Sequence, residues 1–323
     1  MSGTNGESRS RDKDAARAAS IQQVSQLLGV HASTMRSWER RYGILAAGRT
    51  TGGHRRYTTA EVETLRLMRD HVHAGMRAGE AAALVIAAAQ TPAASMVRAA
   101  VLAAQELHPK AIVEQLDTAN RLIGLDRTVD EVLMPALREI GEQWIVEDSR
   151  IAHEHLATET VRSWLARLRH DGPPLPVRPA LLACGPGDEH TLGLEALAAL
   201  LERRGWDCRR LGGRTPIPAL LGAVDTTQPS VVVLVSHVPG LRPDALQALR
   251  AVTEHVAAAR TDAEAGSAEP PLIFFARNAF SSARARQGVP GTYLGTSVAE
   301  AAVLITTMIS ERGHRKGNFK PAK

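Results

Sequence analysis

The chain has 323 residues, of which 44% are apolar and 23% are charged, a composition typical of a globular protein with two or three domains. The sequence contains no run of about 18 apolar residues, so it predicts no membrane span. Two cysteines, Cys184 and Cys208, are too few for a disulfide framework or a multi-cysteine metal site. We therefore expect a cytoplasmic protein.

The positive charge is concentrated at the amino-terminal end. The first 80 residues contain 13 Lys and Arg against 8 Asp and Glu, which accounts for the formal net charge of +5 of the whole chain. This distribution is typical of a protein that binds nucleic acid through one domain. Residues 1–18 are polar and mixed in charge, and they predict a disordered lead.

Residues 19–88 predict a small DNA-reading domain. Ser20 and Gln23 form a capping-box pattern before an amphipathic helix that ends at Gly29. A second helix is expected over 32–42, and the Gly-rich, basic stretch 48–57 predicts a β-hairpin wing. A further helix is expected from Ala60 to His73.

This block resembles the MerR-type winged helix-turn-helix in the segments 21–30, 34–43 and 53–57. The resemblance implies binding to double-stranded DNA at a promoter or operator, near the nucleoid. The residues expected to contact DNA are Thr34, Arg36, Arg40, Arg41, His54, Arg55, Arg56 and Tyr57. For Trp38 and Tyr42 the pattern leaves open whether they pack in the core or contact phosphate.

Residues 94–172 predict a four-helix bundle, with helices over 94–107, 109–123, 126–146 and 151–168. Trp144 and Glu154 are ten positions apart, which places them on different faces of a continuous helix. A polar segment, 147–149, predicts a turn between them. Trp144, Glu154 and His155 could then meet at one end of the bundle. Alternatively, Trp144 is core and the other two begin a solvated helix.

Residues 177–312 alternate strands and helices. Strands are expected over 179–184, 206–211, 230–236 and 272–275, with helices over 192–204, from about 216, over 244–257 and over 298–309. The strand 230–236 is rich in β-branched residues, which indicates burial on both faces. The pattern predicts a doubly wound, flavodoxin-like parallel α/β sheet, whose ligands bind at the carboxyl ends of its strands. A basic tail, 313–323, follows.

A motif with metal chemistry follows the first of these strands. Asp188, His190 and Gly193 give the spacing Asp-x-His-x-x-Gly, which is that of the lower-ligand motif of cobalamin-binding domains. Imidazole is a good cobalt ligand, and a carboxylate on its other nitrogen fixes the tautomer. Ser236 follows the third strand and Arg277 follows the fourth, at the same expected edge. For His237 the sequence leaves open whether it is a competing ligand or a hydrogen-bonding residue.

The two motifs together resemble the CarH/LitR family of adenosylcobalamin photoreceptor regulators. The resemblance implies that His190 ligates cobalt, that Asp188 orients it, and that Trp144, Glu154 and His155 pack around the 5′-deoxyadenosyl group. The other residues expected to bind the cofactor are Gly193, Ser236, Val238, Ala276 and Arg277. The implied protein is not an enzyme. It is a repressor that binds DNA as a homo-oligomer in the dark and dissociates in light, with methylcobalamin as the alternative cofactor.

Two departures from the family pattern leave other functions open. Ile145 stands where well-studied members have a His that can ligate cobalt after light, and Ala276-Arg277 stands where Gly-Gly is common. Arg277 could crowd the pocket of the cofactor's nucleotide tail or bond its phosphate. The alternatives are therefore a regulator with a degenerate or non-photochemical cobalamin site, and a corrinoid protein of a methyltransferase system.

Overall fold

The computed structural model describes residues 19–45, 48–49, 55–57, 59–89, 91–144, 151–168, 175–261 and 269–314. The described chain divides into two compact units. The first contains residues up to Leu122 together with Glu131–Thr158, and the second contains Ile123–Asp130 and the residues from Glu159 onward.

The first unit begins with a winged helix-turn-helix. Its elements are β1 (Ala19–Ser20), α1 (Ile21–Leu28), α2 (Ala32–Tyr42), β2 (Gly48–Arg49), β3 (Arg55–Tyr57) and α3 (Thr59–His73). The Ser20 hydroxyl accepts a hydrogen bond from the Gln23 N–H at 3.4 Å, and the Gln23 side chain accepts one from the Ser20 N–H at 2.8 Å. The predicted capping box is therefore present. Gly29 and Gly43 end α1 and α2 in the left-handed conformation that glycine favours.

The wing forms a small antiparallel sheet in the order β1-β3-β2. β2 and β3 form the predicted hairpin, in which Gly48 pairs with Arg56. β1 was not predicted, because two residues are too short to show strand periodicity. Its Ala19 pairs with Tyr57 and attaches the wing to the start of α1.

The core of this domain contains Met35 and Trp38 from α2, Tyr57 from β3, and Leu65 and Met68 from α3. Trp38 is 8% exposed, so its position is settled in favour of the core. The burial of Met35 and Trp38 fixes one face of α2 against the domain, and the opposite face is left to solvent.

The rest of the first unit is helical. Its helices are α4 (Ala78–Ala89), α5 (Pro92–Gln105), α6 (Pro109–Ile123), α8 (Met134–Trp144) and the first part of α9 (Ile151–Ala166), while α7 (Leu125–Thr128) belongs to the second unit. α5 begins two residues before the predicted start, because the Thr91 hydroxyl caps it by accepting from the Ala94 N–H at 3.2 Å. Among the described helices, none is by itself long and apolar enough to cross a membrane. The segments Ala78–Ala87 and Pro92–Gln105, which are bent against each other, reach the required length and apolar composition only when they are taken together.

The third predicted bundle helix is interrupted. A π-helical turn, Val129–Leu133, separates α7 from α8 where one continuous helix was expected. The turn comes directly before Met134 and Pro135. Proline has no N–H to donate to the carbonyl four residues earlier, and its ring disfavours a regular α-helical turn there. Pro135 therefore accounts for the interruption of the helix.

The second unit contains a five-stranded parallel sheet. Its strands are β4 (Ala180–Cys184), β5 (Cys208–Gly212), β6 (Val231–Val235), β7 (Leu272–Ala276) and β8 (Thr292–Tyr293), in the order β5-β4-β6-β7-β8. The connecting helices are α10 (Leu192–Arg203), α11 (Ile217–Thr227), α12 (Arg242–Thr261), α13 (Ala283–Arg286) and α14 (Val298–His314). This order confirms the predicted doubly wound, flavodoxin-like fold.

The positions of the strands explain their composition. β4 and β6 are central and buried at all five positions, as the apolar and β-branched runs predicted. β5 lies at one edge of the sheet and exposes Arg209 and Arg210. β8 forms the other edge with two residues only, which is why the sequence did not reveal it.

A carboxylate from the α7 region caps the last helix. Asp130 accepts hydrogen bonds from the Val298 N–H at 2.8 Å, the Ala299 N–H at 3.2 Å and the Ser297 hydroxyl at 2.5 Å. These backbone donors belong to the first turn of α14, where no partner exists within the helix. Asp130 and Val298 are 168 positions apart in the sequence, so this cap is a long-range contact within the second unit.

Replacing Asp130 with Ala should lower the free energy of unfolding by about 1–2 kcal/mol, because the first turn of α14 loses its acceptor. The measurement is urea unfolding at neutral pH. The matched control is Glu114→Ala, which removes a carboxylate from an exposed pair with Lys110 and should change stability by less than about 0.5 kcal/mol. Equal stability of both variants would show that the cap contributes nothing.

Candidate functional site

The predicted cofactor residues of the second unit gather at one edge of the sheet. Cys184 of β4, Val235 of β6 and Ala276 of β7 are in register. The three segments that follow these residues therefore begin side by side, at the carboxyl ends of the strands. They carry Asp188 and His190, Ser236 and His237, and Arg277, respectively.

A buried carboxylate, that of Asp188, is paired with the exposed imidazole of His190. Asp188 Oδ1 lies 2.8 Å from His190 Nδ1 and accepts a second hydrogen bond from the His190 N–H at 3.0 Å. The Asp188 side chain is 1% exposed, whereas that of His190 is 55% exposed. Burial opposes ionisation of Asp188, but the hydrogen bonds from His190 and from the His237 backbone outweigh it and hold its pKa well below the usual range.

The ionised carboxylate determines the tautomer of His190. A carboxylate can only accept hydrogen bonds, so the proton of the neutral imidazole must lie on Nδ1. The lone pair then lies on Nε2, which is the nitrogen that ligates a metal when Nδ1 is held by a carboxylate. The pair therefore has the chemistry of an oriented metal ligand.

His237 supports the same ring, a role that the sequence did not reveal. Its imidazole stacks on that of His190, with the ring centroids 4.6 Å apart and the planes at 28°. Its backbone N–H donates to the second oxygen of Asp188. Residues after two neighbouring strands thus fix the position and the plane of the His190 ring.

A second network lies beside His190 at the start of α10. Thr191 donates to Glu195 Oε1 at 2.8 Å, and the Arg162 guanidinium lies 3.1 Å from the same oxygen and 3.3 Å from the Thr191 hydroxyl. Sequence reasoning missed this group, because about thirty residues separate Arg162 from its partners and no motif marks it. The network fixes the first turn of α10, which directly follows His190.

Cys184 lies beneath this loop as a packing residue. Its side chain is fully buried, and burial raises the pKa of the thiol to about 12. Its Sγ lies 3.8 Å from the His190 carbonyl oxygen. The thiol is therefore protonated at neutral pH and acts as an apolar filler.

Ser236, Gly193 and Arg277 lie at the same edge. The Ser236 hydroxyl is buried and has no hydrogen-bond partner among the described residues. Gly193 is buried, and the Arg277 guanidinium packs directly against it. Ala276 is the buried last residue of β7, and Val238 precedes a short 3₁₀ turn, Pro239–Leu241.

These residues fit a cobalamin in part. The Asp188–His190 pair is suited to ligate cobalt. The buried Ser236 hydroxyl, which has no partner among the described residues, is suited to bond a polar atom of a ligand, since a buried polar group without a hydrogen bond costs about 1–3 kcal/mol. The guanidinium of Arg277 covers Gly193, so a group entering there must first displace it.

The remaining predicted cofactor residues lie in the first unit. Glu154 Oε1 accepts from the Thr158 hydroxyl at 2.9 Å, and Glu154 Oε2 lies 3.7 Å from Nε2 of the exposed His155. Trp144 is the last residue of α8. Its side chain and the whole of Ile145 lie outside the described part of the chain.

The predicted DNA-binding residues fall into different environments. Arg36 and Arg40 are exposed on the face of α2 opposite Met35 and Trp38, as their spacing of four residues requires. Arg41 is also exposed and Thr34 is half-buried, both on the flank of the helix. His54 and the side chains of Arg55 and Arg56 lie outside what the structure describes.

Tyr57 does not belong to this surface. Its side chain is 1% exposed, and its hydroxyl donates to Glu39 Oε1 at 2.5 Å. A side chain buried in the core of the domain cannot reach DNA. We therefore correct its predicted role: Tyr57 packs the wing against α2.

Two family models match the chain. Residues 19–85 match the MerR HTH family of regulatory proteins, and residues 96–169 match a B12 binding domain. The HTH-type transcriptional repressor CarH of Myxococcus xanthus is 34% identical over 236 residues, which cover 68% of this chain and 79% of that protein. The chain belongs to the CarH family.

Two further relatives match the chain to different extents. The HTH-type transcriptional repressor CarA of Myxococcus xanthus is 34% identical over 220 residues, covering 66% of this chain and 75% of CarA. The regulator MlrA of Salmonella typhimurium is 32% identical over 65 residues, which cover 20% of this chain and 27% of MlrA. CarH and CarA are repressors rather than enzymes, in agreement with the expectation from the sequence.

In the cofactor-free protein, replacing Asp188 with Asn should lower the free energy of unfolding of the second unit by about 1–3 kcal/mol. The amide NH₂ would face a backbone or ring N–H, and one buried donor would lose its acceptor. The measurement is urea unfolding at pH 7, with Asp207→Asn as the control, since Asp207 is exposed beside Arg209. Unfolding midpoints that coincide would contradict a structural role for this carboxylate.

Proposed function

We propose that the chain is a light-sensing repressor, which binds promoter or operator DNA through its MerR-type domain and adenosylcobalamin through its second unit. The observation that carries the cofactor assignment is the buried Asp188 carboxylate on Nδ1 of His190, at the carboxyl edge of a doubly wound sheet. Membership of the CarH family supports the assignment to a repressor. Such a protein would act in the cytoplasm, at the nucleoid.

In this proposal each residue of the edge has a defined task. His190 ligates the cobalt through Nε2, Asp188 fixes its tautomer, and His237 holds the plane of its ring. Ser236 donates or accepts a hydrogen bond with the buried part of the cofactor. Bound adenosylcobalamin would supply the absorption of visible light and a light-sensitive cobalt–carbon bond.

The remaining cofactor assignments rest on the resemblance to the CarH/LitR family. Trp144, Glu154 and His155 are proposed to contact the adenosyl group, and Gly193, Val238 and Ala276 to border the cofactor. Glu154 and His155 are polar and accessible to a ligand, at 34% and 73% exposure of their side chains.

DNA binding is proposed to use the exposed face of α2. Arg36 and Arg40 lie one helical turn apart, so both can reach one groove of the duplex, while Arg41 and Thr34 flank them. Arg55 and Arg56 are proposed to contact phosphates from the wing. The net positive charge of the first 80 residues favours this association.

The switch is proposed to act through assembly. A ligand shifts an equilibrium only by binding one state better than the other, so adenosylcobalamin must favour a DNA-binding homo-oligomer over its dissociated chains. An oligomer that contacts several half-sites gains affinity from their linkage and loses it when the assembly separates. Light would then release DNA by removing the ligand that favours the oligomer.

A second candidate is a CarH-type regulator whose DNA binding does not respond to light. Ile145 cannot ligate cobalt, and the guanidinium of Arg277 covers Gly193. A corrinoid protein of a methyltransferase system is less well supported, because the winged helix-turn-helix would then have no task.

The full-length protein, incubated with adenosylcobalamin in the dark and desalted, should retain the cofactor and show its absorption spectrum. His190→Ala should weaken retention about tenfold or more, because the protein would lose the imidazole proposed to hold the cobalt. His255→Ala is the control, since His255 pairs with Asp225 on the surface of the same unit. Retention by His190→Ala equal to that of the wild type would refute the ligand assignment.

The dark, cofactor-loaded protein should retard a DNA fragment from its own promoter region, and green light should reduce that retardation. Arg36→Ala should weaken dark binding about tenfold or more, because a base or phosphate contact is lost. Arg121→Ala, an exposed arginine of α6, is the control. Size-exclusion chromatography in the dark and in the light measures the oligomeric state directly. Retardation that survives photolysis unchanged would favour the second candidate.

A further inference from the structure

A side-chain hydrogen bond joins α2 to the wing in the first unit. Tyr57, the last residue of β3, donates its hydroxyl to Glu39 Oε1 of α2 at 2.5 Å, across 18 positions of the sequence. Hydrogen bonds from a hydroxyl to a carboxylate are shorter and stronger than those between neutral groups. The bond therefore connects two elements that the proposed function places on the same DNA duplex.

Both partners of this bond are held in place by their surroundings. The ring of Tyr57 is 1% exposed and belongs to the core that contains Met35 and Trp38. Glu39 is half-buried, and steps of 100° per residue place it on α2 between the buried Met35 and the exposed Arg36. The carboxylate thus lies at the margin between the core face of α2 and its exposed arginine face.

The other contacts of the wing base do not fix its direction relative to α2. The backbone pairing of Ala19 with Tyr57 attaches β3 to the start of α1. The apolar packing of the Tyr57 ring against the core is non-directional. The hydrogen bond to Glu39 is directional, because it weakens steeply when its angle departs from linearity. It is therefore suited to set the angle between β3 and α2.

We infer that Glu39 and Tyr57 are a positioning pair, which aligns the wing with α2 so that both elements contact the DNA backbone in one register. The inference rests on the proposed phosphate contacts of Arg55 and Arg56, which immediately precede Tyr57 in β3. Without the bond, the wing loses its alignment and its phosphate contacts, while the contacts made by α2 are kept.

The test counts phosphate contacts from the salt dependence of DNA binding. Full-length protein, loaded with adenosylcobalamin in the dark, is titrated against a labelled duplex from its own promoter region at several KCl concentrations. The slope of log Kd against log [KCl] changes by about 0.9 for each phosphate that the protein neutralises. Tyr57→Phe keeps the ring in the core and removes the hydroxyl, and it should reduce this slope by about one to two.

The slope separates loss of alignment from loss of stability. A variant that is only destabilised has a smaller competent fraction at every salt concentration, so its affinity falls while its slope stays. Val85→Ala is the control for this effect, because Val85 is a buried residue of α4 outside the wing and α2. It should lower the unfolding temperature of the first unit and leave the slope at the wild-type value.

Two substitutions of Glu39 separate its hydrogen bond from its charge. Glu39→Gln and Glu39→Leu both remove the negative charge, but only the glutamine keeps an oxygen that can accept from the Tyr57 hydroxyl. Glu39→Gln should therefore retain a slope close to that of the wild type. Glu39→Leu should show the same reduced slope as Tyr57→Phe.

The path of the effect is tested in a background without the wing arginines. The double variant Arg55→Ala, Arg56→Ala should itself reduce the slope by about two. Adding Tyr57→Phe to this background should change the slope no further, because the aligned contacts are already absent. Such non-additivity is expected only for residues that act through one another.

Four results would overturn the inference. A wild-type slope for Tyr57→Phe shows that the hydroxyl does not align the wing. Equal loss of slope in Glu39→Gln and Glu39→Leu shows that the charge of Glu39 acts, not its hydrogen bond. A further loss when Tyr57→Phe is added to the variant without wing arginines shows that the effect bypasses the wing. If the arginine double variant keeps the wild-type slope, the proposed wing contacts themselves fail.

Discussion

One carboxylate, that of Asp188, holds the candidate site together. Its two oxygens accept from the ring and backbone of His190 and from the backbone of His237, and its own carbonyl accepts from the Arg214 N–H at 2.8 Å. The loops after β4, β6 and β5 are therefore fixed through a single residue. Because these bonds favour the ionised form, Asp188 remains an acceptor, and the position, plane and tautomer of His190 all depend on it.

Much of the fold was predictable because its signals are local. The capping box at Ser20, the glycines that end α1 and α2, and the buried β-branched strand β6 each depend on neighbouring residues. β1 and β8 were missed because pairing, not composition, makes two residues a strand. The π-helical turn before Pro135 was missed because the apolar periodicity continues through it.

For the candidate site, the sequence predicted only which residues follow the ends of the strands. The rule that parallel strands present their carboxyl ends at one edge was sufficient to bring His190, Ser236 and Arg277 together. The stacking of His237 and the approach of Arg162 depend on packing between distant segments, which spacing cannot show. The same holds for Tyr57: a basic neighbourhood suggested DNA contact, but strand pairing turns the ring into the core.

The composition of the sheet edges restricts how the protein can assemble. β5 presents Arg209 and Arg210, and Arg210 is held near Glu202 at 3.2 Å, while β8 offers only two residues for pairing. Charged or very short outer strands are poor templates for another chain, because bringing a second strand alongside would desolvate the charges for few hydrogen bonds. A second copy of the protein would therefore gain little from extending this sheet.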